Sequence, residues 1–397
     1  MNLSRRTILK GAALGLGVLG AGIARRAAGP AARVNTVLGP IKPDTLGVTL
    51  MHEHILVDFV GANRIAPGRY DPEEVIRTAL PHLRKLRAAG CKTLVECTPA
   101  FLGRDPALLT RLSEASSLQI VTNTGIYGAS ANKYVPLFSF QETAEQLAAR
   151  WTREAREGIP PTGVRPGFIK TGTDAGQLSP INTRLVSAAA FTHLRTGLVI
   201  ASHTGDGVAA MAQLDVLKKY AVPPSSWIWV HAQNERDREM HRRAAEMGAW
   251  VEFDGISEQT LELHVELVMG MKRLRLLNRV LISRDAGWYH VGGSGRWKLS
   301  RLRLPLLKVS TPGAEKRARR ERYLLAAGRK PAASPDAAIL IPGSPLRPSP
   351  ASRTRDGRLQ RSKATRAYSK CGQSMPRVVR KAAPHVHEPR YALPENS

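Results

Sequence analysis

Leu50-Met51-His52-Glu53-His54-Ile55 closes an apolar run that begins at Thr45. Side chains alternate along a strand, so His52 and His54 share one face, about 7 Å apart along it. Two imidazoles so placed on a buried strand can hold one side of a metal ion. An isolated pair reads as readily as two satisfied core histidines, and the rest of the chain decides between these readings.

From residue 45 to 288, strand-like runs alternate with helical patterns. The predicted strands are Leu46–His54, Lys92–Thr98, Gln119–Tyr127, Gly167–Thr171, Gly197–His203, Trp227–His231, Ala249–Phe253 and Arg279–Asp285. Helix-compatible segments lie between them, among them Pro72–Ala89, Gln141–Glu157 and Ile181–Arg195, and several stop at a glycine (Gly90, Gly158, Gly197, Gly248). Eight such β-then-α units predict a (β/α)8 TIM barrel, with a doubly wound sheet as the competing arrangement.

Functional side chains of a barrel sit at the C-terminal ends of its strands. His52 and His54 end the first predicted strand, Lys170 the fourth, His203 the fifth, His231 the sixth and Asp285 the eighth. A protonated lysine among four histidines and an aspartate would repel cations. Carbamylated by carbon dioxide, it becomes an anionic carboxylate able to bridge two metals, and the set is then chemically coherent.

This ordered set, from about Val34 to Gly293, resembles the binuclear metal site of the phosphotriesterase family of amidohydrolases. The resemblance implies that His52, His54 and Asp285 hold the more buried of two divalent metals. His203 and His231 would hold the more exposed one, with carbamylated Lys170 between them. Zinc is the expected ion, and cobalt, manganese or iron would suit the same ligands. The implied chemistry is attack of metal-bound hydroxide on a phosphoester, a lactone or another carboxyl ester of a small molecule. Asp285 would take the proton, Tyr127 would assist the substrate oxygen or leaving group, and Trp288 would wall the pocket. The organophosphate hydrolases of the family carry an aspartate after the sixth strand and a histidine after the seventh, where this chain has Asn234 and Gly255. Neither titrates near neutral pH, so that proton route is missing and Asp254 remains as a supporting group. The other reading of the barrel is a catalytically impaired metal binder. Homodimerisation is a family expectation.

The flanks read differently. Ser4-Arg5-Arg6-Thr7 followed by the apolar run Gly11–Ala24 resembles a twin-arginine export signal, so residues 1–32 are set apart and a periplasmic or secreted location is expected. The run is short for a membrane span, and no stable anchoring is expected once the signal is cleaved. The formal net charge is +27, but residues 291–397 carry 24 Lys/Arg against 6 Asp/Glu, so the excess belongs to the tail. With few aromatics and no regular basic face, the tail does not read as a nucleic-acid binder. Residues 296–397 are a basic, aperiodic segment expected to lack order, and they fit a single-nucleotide frameshift. Codons for Trp297–Leu307 read one nucleotide later can spell GNFRGYDYLFS, and Ala326–Ala333 can spell LLVENPRR, both family-like. On that reading the barrel occupies 33–295 and the eighth helix, which should cover the seam between the last and first strands, is lost. Of three cysteines, Cys91 and Cys97 bracket one strand and read as buried small hydrophobes; Cys371 lies in the tail.

Overall fold

The computed structural model describes residues 33–293. The export-like segment at 1–32 and the tail at 296–397, with any eighth helix, lie outside the described residues, as does the side chain of Trp288.

A short antiparallel hairpin, β1 (Val34–Thr36) and β2 (Gly39–Ile41), precedes the main sheet. Ten strands follow: β3 (Val48–Val57), β4 (Cys91–Glu96), β5 (Gln119–Val121), β6 (Asn123–Thr124), β7 (Phe168–Thr173), β8 (Val199–Thr204), β9 (Trp227–Val230), β10 (Trp250–Phe253), β11 (Val280–Ile282) and β12 (Ala286–His290). Their ladders are all parallel and run β12-β3-β4-β5 and β6-β7-β8-β9-β10-β11. Only Thr122 separates β5 from β6, and only Ser283-Arg284-Asp285 separates β11 from β12. Chain order therefore equals ladder order, and the last strand returns to the first. A doubly wound sheet would reverse direction partway. The molecule is a mixed α/β protein with parallel sheets, consistent with a TIM barrel.

The helices lie in the connections: α1 (Pro72–Ala88), α2 (Pro106–Ser116), α3 (Phe138–Gln141), α4 (Ala144–Glu157), α5 (Pro180–Thr196), α6 (Gly207–Lys219), α7 (Arg238–Glu246) and α8 (Leu261–Arg273). Their starts are chemically marked. Asp71, Asp105 and Ser179 cap helices with proline in the first turn, and Thr143 forms a reciprocal capping box with Gln146. None of the described helices is long and apolar enough to cross a membrane.

Three apolar clusters follow from strand alternation. Met51, Val95, Val121, Phe168, Ala201, Ile228 and Leu281, one each from seven of the strands, pack in one interior layer. The opposite faces pack against helices in two groups, one around α1 and α2 and one around α4 to α8. Strict alternation would send Met51 to the helix side if His52 faces the site. A bulge resolves this: between the pairs Leu50–Leu94 and Glu53–Glu96, β3 has one residue more than β4. Met51 joins the interior layer while His52 enters the site above it.

Candidate metal centre

Four imidazole rings form a continuous arc at the C-terminal ends of the strands. The centroid of His54 is 5.1 Å from that of His52, His52 is 4.9 Å from His231, and His231 is 4.4 Å from His203. Tyr127 extends the arc, its ring edge-on to His203 at 5.1 Å. Lys170 and Asp285 line the same cavity of about 240 Å³, together with Val57, Phe59, Pro99 and Leu102. The six expected metal-ligating residues and Tyr127 are thus brought to one mouth.

Local geometry differs from the expectation at several of them: β3 runs on to Val57 and β7 to Thr173, so His54 and Lys170 each stand three residues before the strand end rather than at it. Tyr127 does not end a strand: β6 stops at Thr124, and Tyr127 makes an isolated bridge to Gly172. His231 lies one residue beyond β9, in the left-handed region with φ 65°. Asp285 lies in the break between β11 and β12 with φ 52°. Left-handed backbone costs an L residue about 1–2 kcal/mol, and surrounding contacts must hold it.

The hydrogen bonds fix the imidazole tautomers. Asp254 at the end of β10 is fully buried. Its Oδ2 accepts from His52 Nδ1 at 3.2 Å and the His231 amide at 3.0 Å, and its Oδ1 accepts from His231 Nδ1 at 2.5 Å and Gln233 Nε2 at 2.7 Å. Burial opposes the Asp254 anion, but His231 and His52 outweigh it and hold its carboxyl well below the usual range. Asp254 therefore takes protons at Nδ1 of two rings and leaves Nε2 of both facing the cavity. For His54 the Thr98 hydroxyl gives its single proton to Glu96 Oε1 at 2.6 Å and accepts from His54 Nδ1 at 2.8 Å. The Nε2 atoms of His52 and His54 then lie 3.1 Å apart, and Asp285 Oδ1 is 3.5 and 3.2 Å from them. Three donor atoms so close, with lone pairs converging, suit a cation between them. These are the His/Asp metal-binding groups of the described residues, and in the second such group, His52–His231–Asp254, the carboxylate is already committed to holding the rings.

Protonation states agree. Burial, then the neighbouring Lys170, lowers His52 to about 4, and burial with His231 lowers His203 well below its usual value. Both rings stay neutral, as a ligating imidazole must. Burial opposes ionisation of Asp285, yet His52 and His54 hold it well below the usual carboxylate range. Burial raises the Tyr127 phenol, so it can donate a proton but not act as a base. Lys170 is the unusual group: its side chain is 1% exposed, and its Nζ has no hydrogen-bond partner. An amine in that state is costly to bury, and bonding to a carboxyl-forming group would relieve it.

Two glycines let the chain pass. A Cβ on Gly125 would stand 2.2 Å from the Lys170 carbonyl oxygen, and one on Gly172 would stand 2.8 Å from the Tyr127 ring. Sequence reading missed the supports Glu96, Thr98 and Gln233; the signal was Glu96-Cys97-Thr98 ending the second predicted strand beside the first. Two further histidines, His241 and His264, lie outside this arc. Both are buried, with Nε2 of His241 2.6 Å from the Ala232 carbonyl and Nε2 of His264 2.7 Å from the Asp254 carbonyl. Cys91 and Cys97 are buried free thiols, as read.

Parallel β/α architecture with histidines, lysine and aspartate gathered at the strand ends defines a class of metal-site α/β proteins. Within it, the chain belongs to the phosphotriesterase family, whose model matches residues 32–303. It is 26% identical over 246 residues to a phosphotriesterase homology protein of Escherichia coli, covering 61% of this chain and 82% of that one. It is 24% identical over 217 residues to an aryldialkylphosphatase of Saccharolobus solfataricus, covering 54% and 68%. Among solved structures, a double mutant of an organophosphorus hydrolase from Deinococcus radiodurans superposes with a TM-score of 0.62 at 26% identity, covering 74% of this chain and 92% of that one.

Proposed function

We propose that this chain is a (β/α)8 hydrolase with a two-metal centre that cleaves a phosphoester, a lactone or another carboxyl ester of a small molecule. The observation that carries the reading is the buried, partnerless Lys170 amine beside imidazoles whose Nδ1 atoms are occupied and whose Nε2 atoms face the cavity. A carbamate on Lys170 would turn this costly amine into a bridging ligand. His52, His54 and Asp285 would hold the inner ion, and His203 and His231 the outer one, zinc by preference. Two such ions supply Lewis acidity and a water made nucleophilic near neutral pH.

The chain's own groups account for the remainder. Asp285, solvent-exposed at the mouth and ionised, stands where it can accept a proton from the attacking water. Tyr127, protonated and lying against His203, donates to the substrate oxygen or leaving group. Asp254 keeps His52 and His231 in the ligating tautomer. Val57, Phe59, Pro99 and Leu102 offer apolar contact to a small acyl or alkyl substituent. Relatives named aryldialkylphosphatase, phospho-furanose lactonase and N-acetyltaurine hydrolase support hydrolysis in general. Asn234 and Gly255 in place of titratable groups favour carbonyl esters over phosphotriesters. The leader supports twin-arginine export after metal loading.

The purified protein should contain two metal ions per chain and hydrolyse lactones faster than paraoxon, with Asp285→Asn reducing turnover at least a hundredfold. Two ions without turnover on any ester would instead favour the impaired barrel, and absence of metal uptake would refute the reading.

A further inference from the structure

The segment that presents Asp285 is irregular, and the group that holds it lies on the neighbouring strand. Glu53 sits between His52 and His54 but faces away from them and is fully buried. Its Oε1 accepts from the Arg284 amide at 3.2 Å, and its Oε2 accepts from the Ala286 amide at 3.0 Å. The carboxyl group thus grips the backbone on both sides of Asp285. The Ser283 hydroxyl strengthens the grip: it accepts from the His52 amide at 2.9 Å and lies 3.0 Å from Glu53 Oε1 and 3.1 Å from the His52 carbonyl. Asp285 itself donates its amide to the His52 carbonyl at 3.0 Å.

We propose that Glu53 is the positioning residue for Asp285, setting the distance of that carboxylate from the imidazoles of His52 and His54. The inference rests on the reading of Asp285 as a metal ligand. Three observations carry it. Asp285 adopts a left-handed backbone that an L residue does not choose unaided. The chain leaves β11 after Ile282 and enters β12 at Ala286, so the three residues between lie outside both strands, with backbone amide bonds only from Ser283 to Phe253 and from Asp285 to His52. Finally, both amides flanking Asp285 end on one side chain, and that side chain sits between the two histidines that must share an ion with it. One carboxyl group therefore registers three ligands from two strands. In Glu53→Gln an amide NH2 replaces one of the two oxygens, so one flanking N–H faces a donor and is released.

The test is a double-mutant cycle on the full chain, read by zinc titration against a competing chelator, with far-UV circular dichroism to verify folding. Asp285→Asn should weaken one of the two zinc ions. Glu53→Gln should weaken the same ion by about 10–100-fold, the usual cost of removing a group that orients a ligand, and leave the other within threefold. On the Asp285→Asn background, Glu53→Gln should add nothing. Glu53→Asp, which keeps the carboxyl group but withdraws its oxygens by one methylene, decides the matter if Glu53→Gln does not fold, and the same single-ion loss is expected. If Asp285→Asn leaves zinc binding intact, the ligand reading fails and the positioning role falls with it. If Asp285→Asn weakens one ion while the Glu53 variants change neither, the ligand reading stands and the positioning role is refuted. Equal loss at both ions, or a full additional loss on the Asp285→Asn background, would show a general structural effect and also refute it.

Discussion

Asp254→Asn is the substitution that most directly probes how the centre is held. The native carboxylate accepts four hydrogen bonds, from Nδ1 of His52, from the amide and Nδ1 of His231, and from Gln233 Nε2. It supports two rings that would serve different ions, His52 the inner and His231 the outer. An asparagine of the same shape offers one accepting oxygen, and its NH2 must face either His52 Nδ1 with the His231 amide, or His231 Nδ1 with Gln233 Nε2. Whichever ring it faces must give up its Nδ1 proton, which moves to the Nε2 that should ligate. Each charge-assisted bond of this kind contributes about 1.5–3 kcal/mol, and removing an orienting carboxylate costs about 10–100-fold in metal affinity. The expectation is therefore a loss of about 1.4–2.7 kcal/mol at the ion whose ring faces the NH2 and a smaller loss, from the missing carboxylate charge, at the other, unlike the single-ion loss from Glu53→Gln. Stepwise zinc affinities from competition titration, with the folded state verified by circular dichroism, give the answer. Affinities unchanged at both ions, or changed at only one, would refute the argument that Asp254 supports both halves.

In the metal-free, uncarbamylated protein, Lys170→Met should raise stability to urea by about 1–3 kcal/mol, because a buried amine without a partner is replaced by an apolar chain of similar length. The same variant should no longer be stabilised by zinc, which a melting-temperature series with added metal would reveal. Burial lowers His241 from its ordinary value to about 4, so the unfolded chain binds more protons than the folded one between about pH 6.5 and 4. Stability is accordingly intact above pH 6.5 and lost as the pH falls towards 4, by about 3 kcal/mol from this ring at 1.36 kcal/mol per unit. His241→Gln should flatten that part of the pH dependence of urea unfolding. Gly125→Ala places a Cβ 2.2 Å from the Lys170 carbonyl at a φ of 115°. A loss of about 3 kcal/mol or more is expected from strain and overpacking together, seen as a lower midpoint and reduced zinc uptake; a wild-type midpoint would contradict the close approach.

Much of the site was legible because two-metal chemistry demands particular residue types where strands end, and strand ends are visible as the close of apolar runs. His52, His54, Lys170, His203 and Asp285 stood out for that reason, and so did His231. Their backbone geometry was not legible. The left-handed conformations of His231 and Asp285 are imposed by partners distant in sequence, such as the Asp254 carboxylate that receives both the amide and ring of His231. The β3 bulge was hidden because the run from Thr45 to Leu50 and the two histidines suit unbroken alternation as well as they suit one extra residue. The third predicted strand is divided at Thr122 and stops at Thr124, while Tyr127, which continues its apolar pattern, keeps only an isolated bridge to Gly172. Alternation turns Glu53 away from the ligands on either side of it, but that direction alone does not disclose that it faces the segment carrying another one.

The supports are unevenly distributed, and that asymmetry bears on how the centre works. His52 has Asp254, His54 has the Thr98–Glu96 relay, and Asp285 has Glu53 on both flanking amides. All three prospective ligands of the inner ion are thus tied to buried acidic side chains. On the outer side, His231 shares Asp254, whereas the His203 ring meets only the aromatic face of Tyr127 and the His231 ring among the described residues. The His203 ring, without a hydrogen-bonded Nδ1, is oriented by its packing against two rings alone, a less directional hold than a bond to a buried carboxylate. The inner ion would therefore be held in a fixed frame that sets the position of the nucleophile. The outer ion would sit on a partly adjustable frame, suited to an ion whose coordination must change as substrate oxygen arrives and product leaves. Tyr127, leaning on the freer of the two outer imidazoles, then couples substrate contact to the side of the centre that can move.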